Sequence, residues 1–343
     1  MKAFVLKEYN RPLAMETVET PEPGPGEIVL RVTACGVCGT DLKICSGLLP
    51  PPIITLPHIP GHEIAGEVAS VGPMVDNIRC GEKGIAYLYI GCRDCEMCRT
   101  GRENVCFSVK RLGFEMAGGF SEYVKMPAYN FCRYDETLPA EKMAVLTDAA
   151  ATSYNAVMAK GRVKAGDSVL IVGCGGLGIH ALQFVNLQGA DAIVVDQRSG
   201  PLRLAKEFNA MEVIHAGEQN VHDAVMDITQ GMGVDVVIEI VGSADSIRWS
   251  LQCLKRNGRL VLVGYDPSGE ASIPTMAMHY NEWSICGTRL STKQQLMAII
   301  RLVEQGKITP VVSDLIPWER ANDALDGLKQ GHVVGRTVLT FTA

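Results

Sequence analysis

The sequence predicts an α/β protein of two domains, one mostly antiparallel β and one with a doubly wound parallel sheet. The chain has 343 residues, and because one domain usually takes about 100 to 200 residues, we expect two cores. Residues 1 to about 150 hold short β-like runs broken by glycine and proline, whereas apolar strands alternate with helix-length segments after Lys164. The first pattern is typical of an irregular β domain, and the second of a sheet with helices on both faces.

Individual stretches support this division in chain order. The runs "EIVLRVTACGV", "EIAGEVASVG" and "FSEYVKMP" are strands of the first domain, and "DSVLIVGCGG", "ADAIVVDQ", "VDVVIEIVG" and "GRLVLVGY" are strands of the second. The apolar period of "KQQLMAIIRLVEQGKI" predicts a helix that ends near Gly306, and "GRTVLTF" returns to β character. We therefore expect residues 1–152 and 293–343 to form the first domain, and residues 153–292 the second.

The composition is that of a folded, acidic protein. Hydrophobic residues make up 47% and charged residues 20%, and the formal net charge is -6. Lysine and arginine are scattered among the acids, which argues against a nucleic acid or an anionic membrane as partner. The start "MKAFVLKEYN" lacks a signal-peptide pattern, and no run of about 18 apolar residues occurs. We expect a cytoplasmic protein, where clustered thiols suit metal or redox chemistry better than disulfides.

A glycine-rich turn predicts a dinucleotide site. "VLIVGCGGLGIHALQ" spaces Gly173, Gly175 and Gly178 as G-x-G-x-x-G between an apolar strand and a helix, with Gly176 and Leu177 inside the motif. The first glycine permits the tight turn, the second lets backbone N–H groups approach a pyrophosphate, and the third lets helix and strand pack closely. The alternative is a glycine-rich turn of an α/β sheet that binds no nucleotide.

The strand after this turn predicts the choice of cofactor. "ADAIVVDQR" ends in Asp196, close to the position where a carboxylate accepts hydrogen bonds from the adenosine ribose hydroxyls. Because that charge would repel a 2′-phosphate, we favour NAD over NADP. Arg198 is the counterargument, since it either offsets the repulsion or covers the adenine.

Four clustered cysteines predict a closed metal site. In "GCRDCEMCRTGRENVC", Cys92, Cys95, Cys98 and Cys106 supply four thiolates, which suit tetrahedral zinc with no open position. An iron–sulfur cluster also uses four thiolates, but its common spacings differ from this one. Most of the other cysteines are expected to be small buried hydrophobes; they include Cys35, Cys45, Cys80, Cys132, Cys174, Cys253 and Cys286.

Several separated motifs carry a family resemblance over nearly the whole chain. They are "GVCGTD", "GHE", the four-cysteine loop, "GGFSEY", the glycine turn and "GRTVL", in that order. With them the chain resembles the zinc-containing alcohol dehydrogenases of the medium-chain dehydrogenase/reductase family. The resemblance implies a GroES-like, mostly-β catalytic domain and a Rossmann domain, two zinc ions per chain, NAD as cofactor, and a homodimer or homotetramer.

The resemblance also implies an open metal site. Cys38 of "GVCGTD" and His62 of "GHE" match two ligands of the catalytic zinc, and Asp148 of "AVLTDAAATSY" stands where the third is usually found. Glu63 matches an acid beside the metal that enters its coordination in part of the cycle. Asp41 matches a carboxylate that orients the ligand histidine.

Further positions match residues with which the family transfers protons and binds the cofactor. Thr40 matches the residue that accepts the alcohol proton. Arg336 matches one that reaches the cofactor pyrophosphate, and the alternative for it is a salt-bridged surface arginine. Where many members place a histidine as the solvent end of the proton relay, this chain has Lys43. A lysine with its ordinary pKa of about 10.4 is a poor proton shuttle near neutrality, so this departure puts the exit route in doubt.

The expected activity is hydride transfer between an alcohol and NAD, giving the ketone or aldehyde. We expect a hydrophobic substrate, in the narrower case a secondary alcohol, because Tyr87, Leu88, Tyr89 and Met116 fall near pocket-lining segments; the same residues also suit a core. The alternatives are a polyol, sugar or threonine-type dehydrogenase of the same family, a zinc-stabilised C=C or quinone reductase, and a non-enzymatic zinc module. Cys38 with His62 argues against the reductase, and the glycine turn with the acidic charge argues against the module.

Overall fold

The computed structural model describes residues 1–341 and divides into two compact units. Unit 1 comprises Met1–Asp148 together with the chain from Thr292 onward, and unit 2 comprises Ala149–Ser291. Within residues 1–341, no helix is both long enough and apolar enough to cross a membrane.

Strands and helices alternate irregularly along the chain. The strands are β1 Lys2–Val5, β2 Ala14–Thr17, β3 Glu27–Val37, β4 Glu63–Val71, β5 Lys83–Ala86, β6 Tyr89–Ile90, β7 Lys110–Arg111, β8 Tyr123–Pro127, β9 Phe131–Arg133, β10 Ser168–Val172, β11 Asp191–Asp196, β12 Glu212–His215, β13 Val234–Glu239, β14 Leu254–Leu262, β15 Ser284–Gly287, β16 Val312–Pro317 and β17 Arg336–Thr340. The α-helices are α1 Gly39–Cys45, α2 Glu96–Arg99, α3 Ala140–Ala144, α4 Ala149–Tyr154, α5 Gly176–Leu187, α6 Ser199–Glu207, α7 Val221–Ile228, α8 Ala244–Gln252, α9 Thr275–Asn281, α10 Lys293–Glu304 and α11 Ala321–Lys329. Short 3-10 helices occupy Glu103–Val105, Ala128–Asn130, Val145–Thr147 and Trp318–Arg320, and a π-helical turn occupies Asn155–Lys160.

Unit 1 is built on a seven-stranded sheet. Its main order is β16-β17-β3-β4-β5-β9, and β8 also pairs with β3. Only the β16 and β17 pair of this sheet is parallel. The mostly antiparallel β domain predicted from the sequence is therefore confirmed. Because β17 pairs with β3, the C-terminal "GRTVL" segment lies beside the strand that leads into Cys38.

Unit 2 contains a six-stranded, fully parallel sheet. Its order is β12-β11-β10-β13-β14-β15. Successive strands are added on one side of β10 up to β12 and on its other side from β13 onward. This is the order of a doubly wound dinucleotide-binding fold, whose ligands bind where the strand order reverses. The strands are continuous apolar runs buried in the core, as for Leu170, Ile193 and Val237. The predicted parallel sheet is confirmed, and the glycine turn directly follows β10.

The predicted helix near the C-terminal end also occurs. Thr292 caps α10 by accepting a hydrogen bond from the Gln295 N–H, and the Gln295 side chain accepts one from the Thr292 N–H. The helix ends at Glu304, and Gly306 follows with a φ of +67°. This left-handed conformation suits glycine after a helix C-terminus.

Candidate functional site

Three side chains predicted as metal ligands converge in unit 1. Cys38 is the N-cap of α1, His62 immediately precedes β4, and Asp148 follows the 3-10 helix Val145–Thr147. The Cys38 Sγ lies 3.3 Å from the Asp148 Oδ2, and the His62 Nε2 lies 3.7 Å from that same oxygen. All three ligand atoms are within 4.8 Å of one another. Residues 110 apart in sequence thus present one thiol, one imidazole and one carboxylate to a common point.

This donor set fits zinc. Tetrahedral zinc with ordinary bond lengths places mixed sulfur, nitrogen and oxygen ligands about 3.3 to 3.6 Å apart, close to the two distances found. The local field also suits a cation: burial disfavours a charged His62, yet Asp41 and Asp148 outweigh it and hold its pKa well above the usual range. Three protein ligands leave a tetrahedral ion one further position. The set therefore suits a metal that binds a substrate.

Asp41 joins two of these three residues. Its Oδ2 accepts a hydrogen bond of 2.8 Å from the Cys38 N–H, and its Oδ1 lies 3.2 Å from the His62 Nδ1. Asp41 is fully buried. A carboxylate only accepts, so the contact favours a proton on Nδ1 and leaves the His62 Nε2 lone pair for a metal.

Arg336 lies at the same site, between two carboxylates. Its guanidinium contacts both carboxylate oxygens of Glu63 and donates to the Asp148 Oδ2 at 2.9 Å. Both Arg336 and Glu63 are buried. Burial raises the pKa of Glu63 to about 7, although Arg336 opposes this shift. The sequence assigned Arg336 to a cofactor pyrophosphate; in the structure its donors are engaged by Glu63 and Asp148.

Gly36 makes room for this ion pair and was not recognised from the sequence. It pairs with Glu63 across β3 and β4, and a Cβ at residue 36 would lie 1.8 Å from the Glu63 Oε2. The available signal was a glycine inside a strand pattern, which marks a close approach of another group.

The residues predicted to move the proton lie on α1. The Thr40 N–H donates to the Cys38 Sγ at 3.5 Å, and the Thr40 side chain is half-buried. Lys43 is also half-buried and follows Thr40 by three residues. Side chains at this spacing are neighbours on a helix surface.

The four-cysteine lobe, residues 91–109, forms a second donor set. The sulfurs of Cys92 and Cys98 are 4.0 Å apart and those of Cys95 and Cys106 are 3.7 Å apart. Tetrahedral zinc with Zn–S bonds of about 2.3 Å places sulfurs about 3.8 Å apart, close to these two distances. All four sulfurs lie within 4.8 Å of one another, so the set suits zinc. They fill every tetrahedral position, so this set suits a structural ion.

The other cysteines follow the sequence expectation only in part. Cys35, Cys132, Cys174 and Cys253 are buried, and Cys45 and Cys286 are half-buried. Cys80 is exposed, so the expectation of a buried hydrophobe is wrong there. The Cys80 thiol lies on the surface with the Ala69 carbonyl as its acceptor.

The glycine turn of unit 2 has the geometry that its motif predicts. Gly173 has a φ of +92°, which suits glycine, and a Cβ at residue 178 would lie 2.0 Å from the Gly173 carbonyl oxygen. Gly175 is the N-cap of α5, and a Cβ there would meet no atom within 4 Å. Gly176 and Leu177 form the first turn of α5, whose N–H groups favour an anion. Gly175 thus leaves open space where the helix begins.

Asp196 ends β11 and contacts this turn. Its Oδ2 accepts a hydrogen bond of 2.9 Å from the Cys174 N–H, and its Oδ1 accepts from the Arg198 N–H at 2.9 Å. The Arg198 Nε lies 3.3 Å from that Oδ1. The carboxylate therefore braces the turn, with one cation beside it.

The residues expected near a substrate pocket are mostly in the core. Tyr87, Leu88 and Tyr89 are all buried, and Met116 is half-buried. Their burial supports the core interpretation of Tyr87, Leu88 and Tyr89.

Comparisons with known proteins agree over the full chain. Two family models match: "Alcohol dehydrogenase GroES-like domain" over residues 24–136 and "Zinc-binding dehydrogenase" over residues 176–305. An NAD-dependent alcohol dehydrogenase of Sulfolobus acidocaldarius is 34% identical, with 100% of both chains covered. An L-threonine 3-dehydrogenase of Pyrococcus abyssi is 34% identical over 92% of this chain and 93% of its own. The crystal structure of the alcohol dehydrogenase from Aeropyrum pernix has a TM-score of 0.94 at 32% identity, covering 99% of this chain and 100% of that one.

Proposed function

Because the chain belongs to the zinc-containing alcohol dehydrogenases of the medium-chain dehydrogenase/reductase family, we propose that it transfers hydride between an alcohol and NAD, giving the ketone or aldehyde. The observation that carries this proposal is the convergence of Cys38, His62 and Asp148, whose ligand atoms lie within 4.8 Å of one another. A zinc-stabilised reductase without a catalytic metal has no use for such a set beside the four-cysteine lobe.

Cys38, His62 and Asp148 would hold the catalytic zinc, and the four cysteines the structural one. When bound, zinc supplies a Lewis acid with one open position for a substrate oxygen, and NAD supplies the hydride acceptor. The ligand set carries up to two negative charges, on Cys38 and Asp148. Arg336 offsets the further charge of Glu63, which would otherwise lie unpaired in the core.

The protein's own groups orient the ligands and handle the proton. Asp41 holds the Nδ1 proton of His62, so the imidazole stays in the tautomer that presents Nε2. Thr40 follows the ligand Cys38 by two residues, and we assign its hydroxyl to accept the alcohol proton. Lys43, one helical turn farther on, stands where a proton could leave toward solvent. Its amine replaces the histidine of many family members.

NAD is assigned to the glycine turn of unit 2. The open space at Gly175 and the N–H groups of the first turn of α5 suit a pyrophosphate. Asp196 at the end of β11 favours ribose hydroxyls over a 2′-phosphate, and Arg198 moderates that preference.

The substrate is assigned to the hydrophobic alcohols, with secondary alcohols first. The relative from Pyrococcus abyssi, which acts as an L-threonine 3-dehydrogenase by its description, makes threonine the nearest alternative. A panel of primary, secondary and cyclic alcohols, sorbitol and L-threonine, assayed by NADH formation, distinguishes these classes. Highest kcat/KM with threonine or a polyol would refute the hydrophobic assignment.

We further propose that the chain works as a homodimer or homotetramer. In unit 2, β15 forms one edge of the sheet, and edge strands present unpaired backbone groups to a partner. The neighbouring α9 has no buried residue and exposes Met276 and Tyr280, each by 73%. Light scattering should show the oligomer, and Met276→Glu with Tyr280→Glu should weaken it. An unchanged mass in that double variant would exclude this face.

Two measurements test the activity itself. The protein should contain two zinc ions per chain, and NADH fluorescence should increase on binding. One zinc per chain would favour the reductase, and no nucleotide binding would refute both enzymes. Because the metal-binding thiols must be reduced, we place the protein in the cytoplasm.

A further inference from the structure

The four-cysteine lobe is closed at its base by a very short ladder. β6 enters the lobe and β7 leaves it. Two residue pairs join them, Tyr89 with Arg111 and Ile90 with Lys110, and just outside the lobe the Leu112 N–H donates to the Leu88 carbonyl at 3.1 Å. A ladder of two pairs is not stable by itself. The order of Arg111 therefore depends in part on what holds the lobe together, including the four thiols.

Arg111, the last residue of β7, is held by a two-point ion pair. Its Nε donates to the Glu115 Oε2 at 3.0 Å and its Nη2 donates to the Glu115 Oε1 at 2.5 Å. The side chains are only 12% and 21% exposed, so this pair is more rigid than an ordinary surface pair. The guanidinium also lies 4.1 Å from the ring centre of Phe114. Arg111 thus packs on one side of that ring.

Phe114 in turn packs against a metal ligand. Its ring centre lies 5.2 Å from that of His62, with the two planes inclined by 49°. The turn that carries it lies directly on the backbone before His62, since a Cβ at Gly113 would be 2.6 Å from the Gly61 carbonyl oxygen. The Phe114 N–H donates to the Arg111 carbonyl at 3.2 Å. Arg111 therefore holds both the backbone and the ring of Phe114.

His62 is restrained from two directions by different elements. Asp41 contacts the edge of its ring at Nδ1, while Phe114 packs against the ring itself. The first contact sets the tautomer and the second limits the tilt of the ring. A ligand ring that can tilt spends less time in the geometry that binds a metal.

We propose that Arg111 is a positioning residue that couples the order of the four-cysteine lobe to the metal ligand His62. This inference rests on the proposed catalytic metal site. The coupling runs through adjacent contacts, from the β6 and β7 ladder to Arg111, then Phe114, then His62. An ordered four-cysteine lobe would therefore slow the loss of metal from Cys38, His62 and Asp148.

The test follows zinc release from the holoenzyme to a coloured chelator. Cys38→Ser identifies the release phase of the open site by removing it. Arg111→Met should accelerate that phase by about tenfold. This is the lower end of the effect on metal affinity that is usual when a group supporting a metal ligand is replaced. Arg111→Lys, which keeps the charge without the two-point geometry, should give an intermediate rate. In the cobalt-substituted protein, Arg111→Met should also shift the visible absorption of the open site.

Arg99→Met is the matched control. Arg99 pairs with Asp94 in the same lobe at 2.6 Å, but both side chains are mostly exposed. This variant should release zinc at the wild-type rate. Folded Arg111→Met that behaves like Arg99→Met would overturn the proposal, as would equal acceleration in both variants.

The coupling itself is tested by a double-mutant cycle. Cys95→Ala, which opens the four-cysteine set, should accelerate release from the open site, and adding Arg111→Met should cause little further change. Multiplying effects would refute the coupling. If Cys95→Ala does not fold, hydrogen exchange at the Phe114 and Met116 amides takes the place of this cycle. Exchange at these amides should accelerate in Arg111→Met and not in Arg99→Met. A wild-type protein without a Cys38-dependent phase would instead refute the proposed metal site.

Discussion

Asp41→Asn is expected to weaken zinc binding by tenfold to a hundredfold while changing few atoms. The two oxygens of Asp41 meet two donors, the Cys38 N–H at 2.8 Å and the His62 Nδ1 at 3.2 Å. An asparagine has one acceptor oxygen, so its amide group must face one of these donors. If it faces the Cys38 N–H, a buried donor stays unsatisfied, at a cost of about 1 to 3 kcal/mol. If it faces His62, the imidazole must accept at Nδ1 and carry its proton on Nε2, which blocks ligation.

The loss in zinc affinity follows from the case in which the asparagine amide group faces His62. Substitution of a residue that orients a metal-binding histidine usually costs about 10- to 100-fold in metal affinity, equal to about 1.4 to 2.7 kcal/mol. Competition with a chelator of known affinity measures the open-site zinc directly, and Asp76→Asn, an exposed carboxylate of the same unit, is the control. Wild-type zinc affinity in a folded Asp41→Asn would refute the reasoning, because the contact of Asp41 with the His62 Nδ1 would then have no role in zinc binding.

Four other predictions follow from the same sites. Cys38→Ser should abolish turnover in the alcohol assay but leave the fold and NAD binding intact, since the thiol is a proposed metal ligand. Asp196→Ala should raise the Kd of NAD more than that of NADP, by fluorescence titration, because it removes a charge that repels a 2′-phosphate. Cys95→Ala should lower the thermal midpoint, measured by calorimetry, more than it changes the rate of hydride transfer by zinc-loaded enzyme, measured in a single turnover. Gly178→Ala should destabilise the protein by about 1 to 3 kcal/mol through overpacking, whereas Gly175→Ala should keep stability and weaken NAD.

Each of these has an outcome that contradicts it. Residual turnover in Cys38→Ser would remove that thiol from the open site, and a parallel loss of both cofactors in Asp196→Ala would reduce the carboxylate to a brace of the turn. An unchanged thermal midpoint in Cys95→Ala would mean that the lobe is equally stable with three of its four thiols. Equal effects of the two glycine substitutions would contradict the distinct surroundings of residues 175 and 178.

The fold was largely predictable from the sequence because its signals are local. The strands of unit 2 are continuous apolar runs such as Val169–Val172, and the glycine motif stands at the end of the first of them. The helix at Lys293–Glu304 has a capping pair at its start and a glycine after its end. Such patterns need no knowledge of distant residues.

The contacts of the site were less predictable because they depend on pairing between distant strands. The register of β17 on β3, and of β3 on β4, brings Arg336 to Glu63, which is 273 residues away in sequence. The motif "GRTVL" identified Arg336 but not its partners. The contacts of Arg111 with Glu115 and Phe114 are local in sequence and were unpredicted for a different reason, because an i to i+4 pair outside a helix has no characteristic pattern. The sequence left Tyr87 and Leu88 open between a pocket and a core, because the burial of a side chain depends on how distant segments pack around it.

The strand order of unit 1 has a consequence for biosynthesis. All six strands of unit 2 are contiguous in the chain, so its sheet can form while the remainder is still being translated. In unit 1, β17 lies between β16 and β3, and its residues Arg336–Thr340 are translated after every other strand of that sheet. Until then residues 34–37 of β3 lack their partner strand, although β8 pairs with residues 27–31, and an unpaired stretch of strand exposes a nascent chain to aggregation. Chaperone protection of β3 should therefore matter most just before β17 is translated, when the proposed zinc ligands of unit 1 have already emerged.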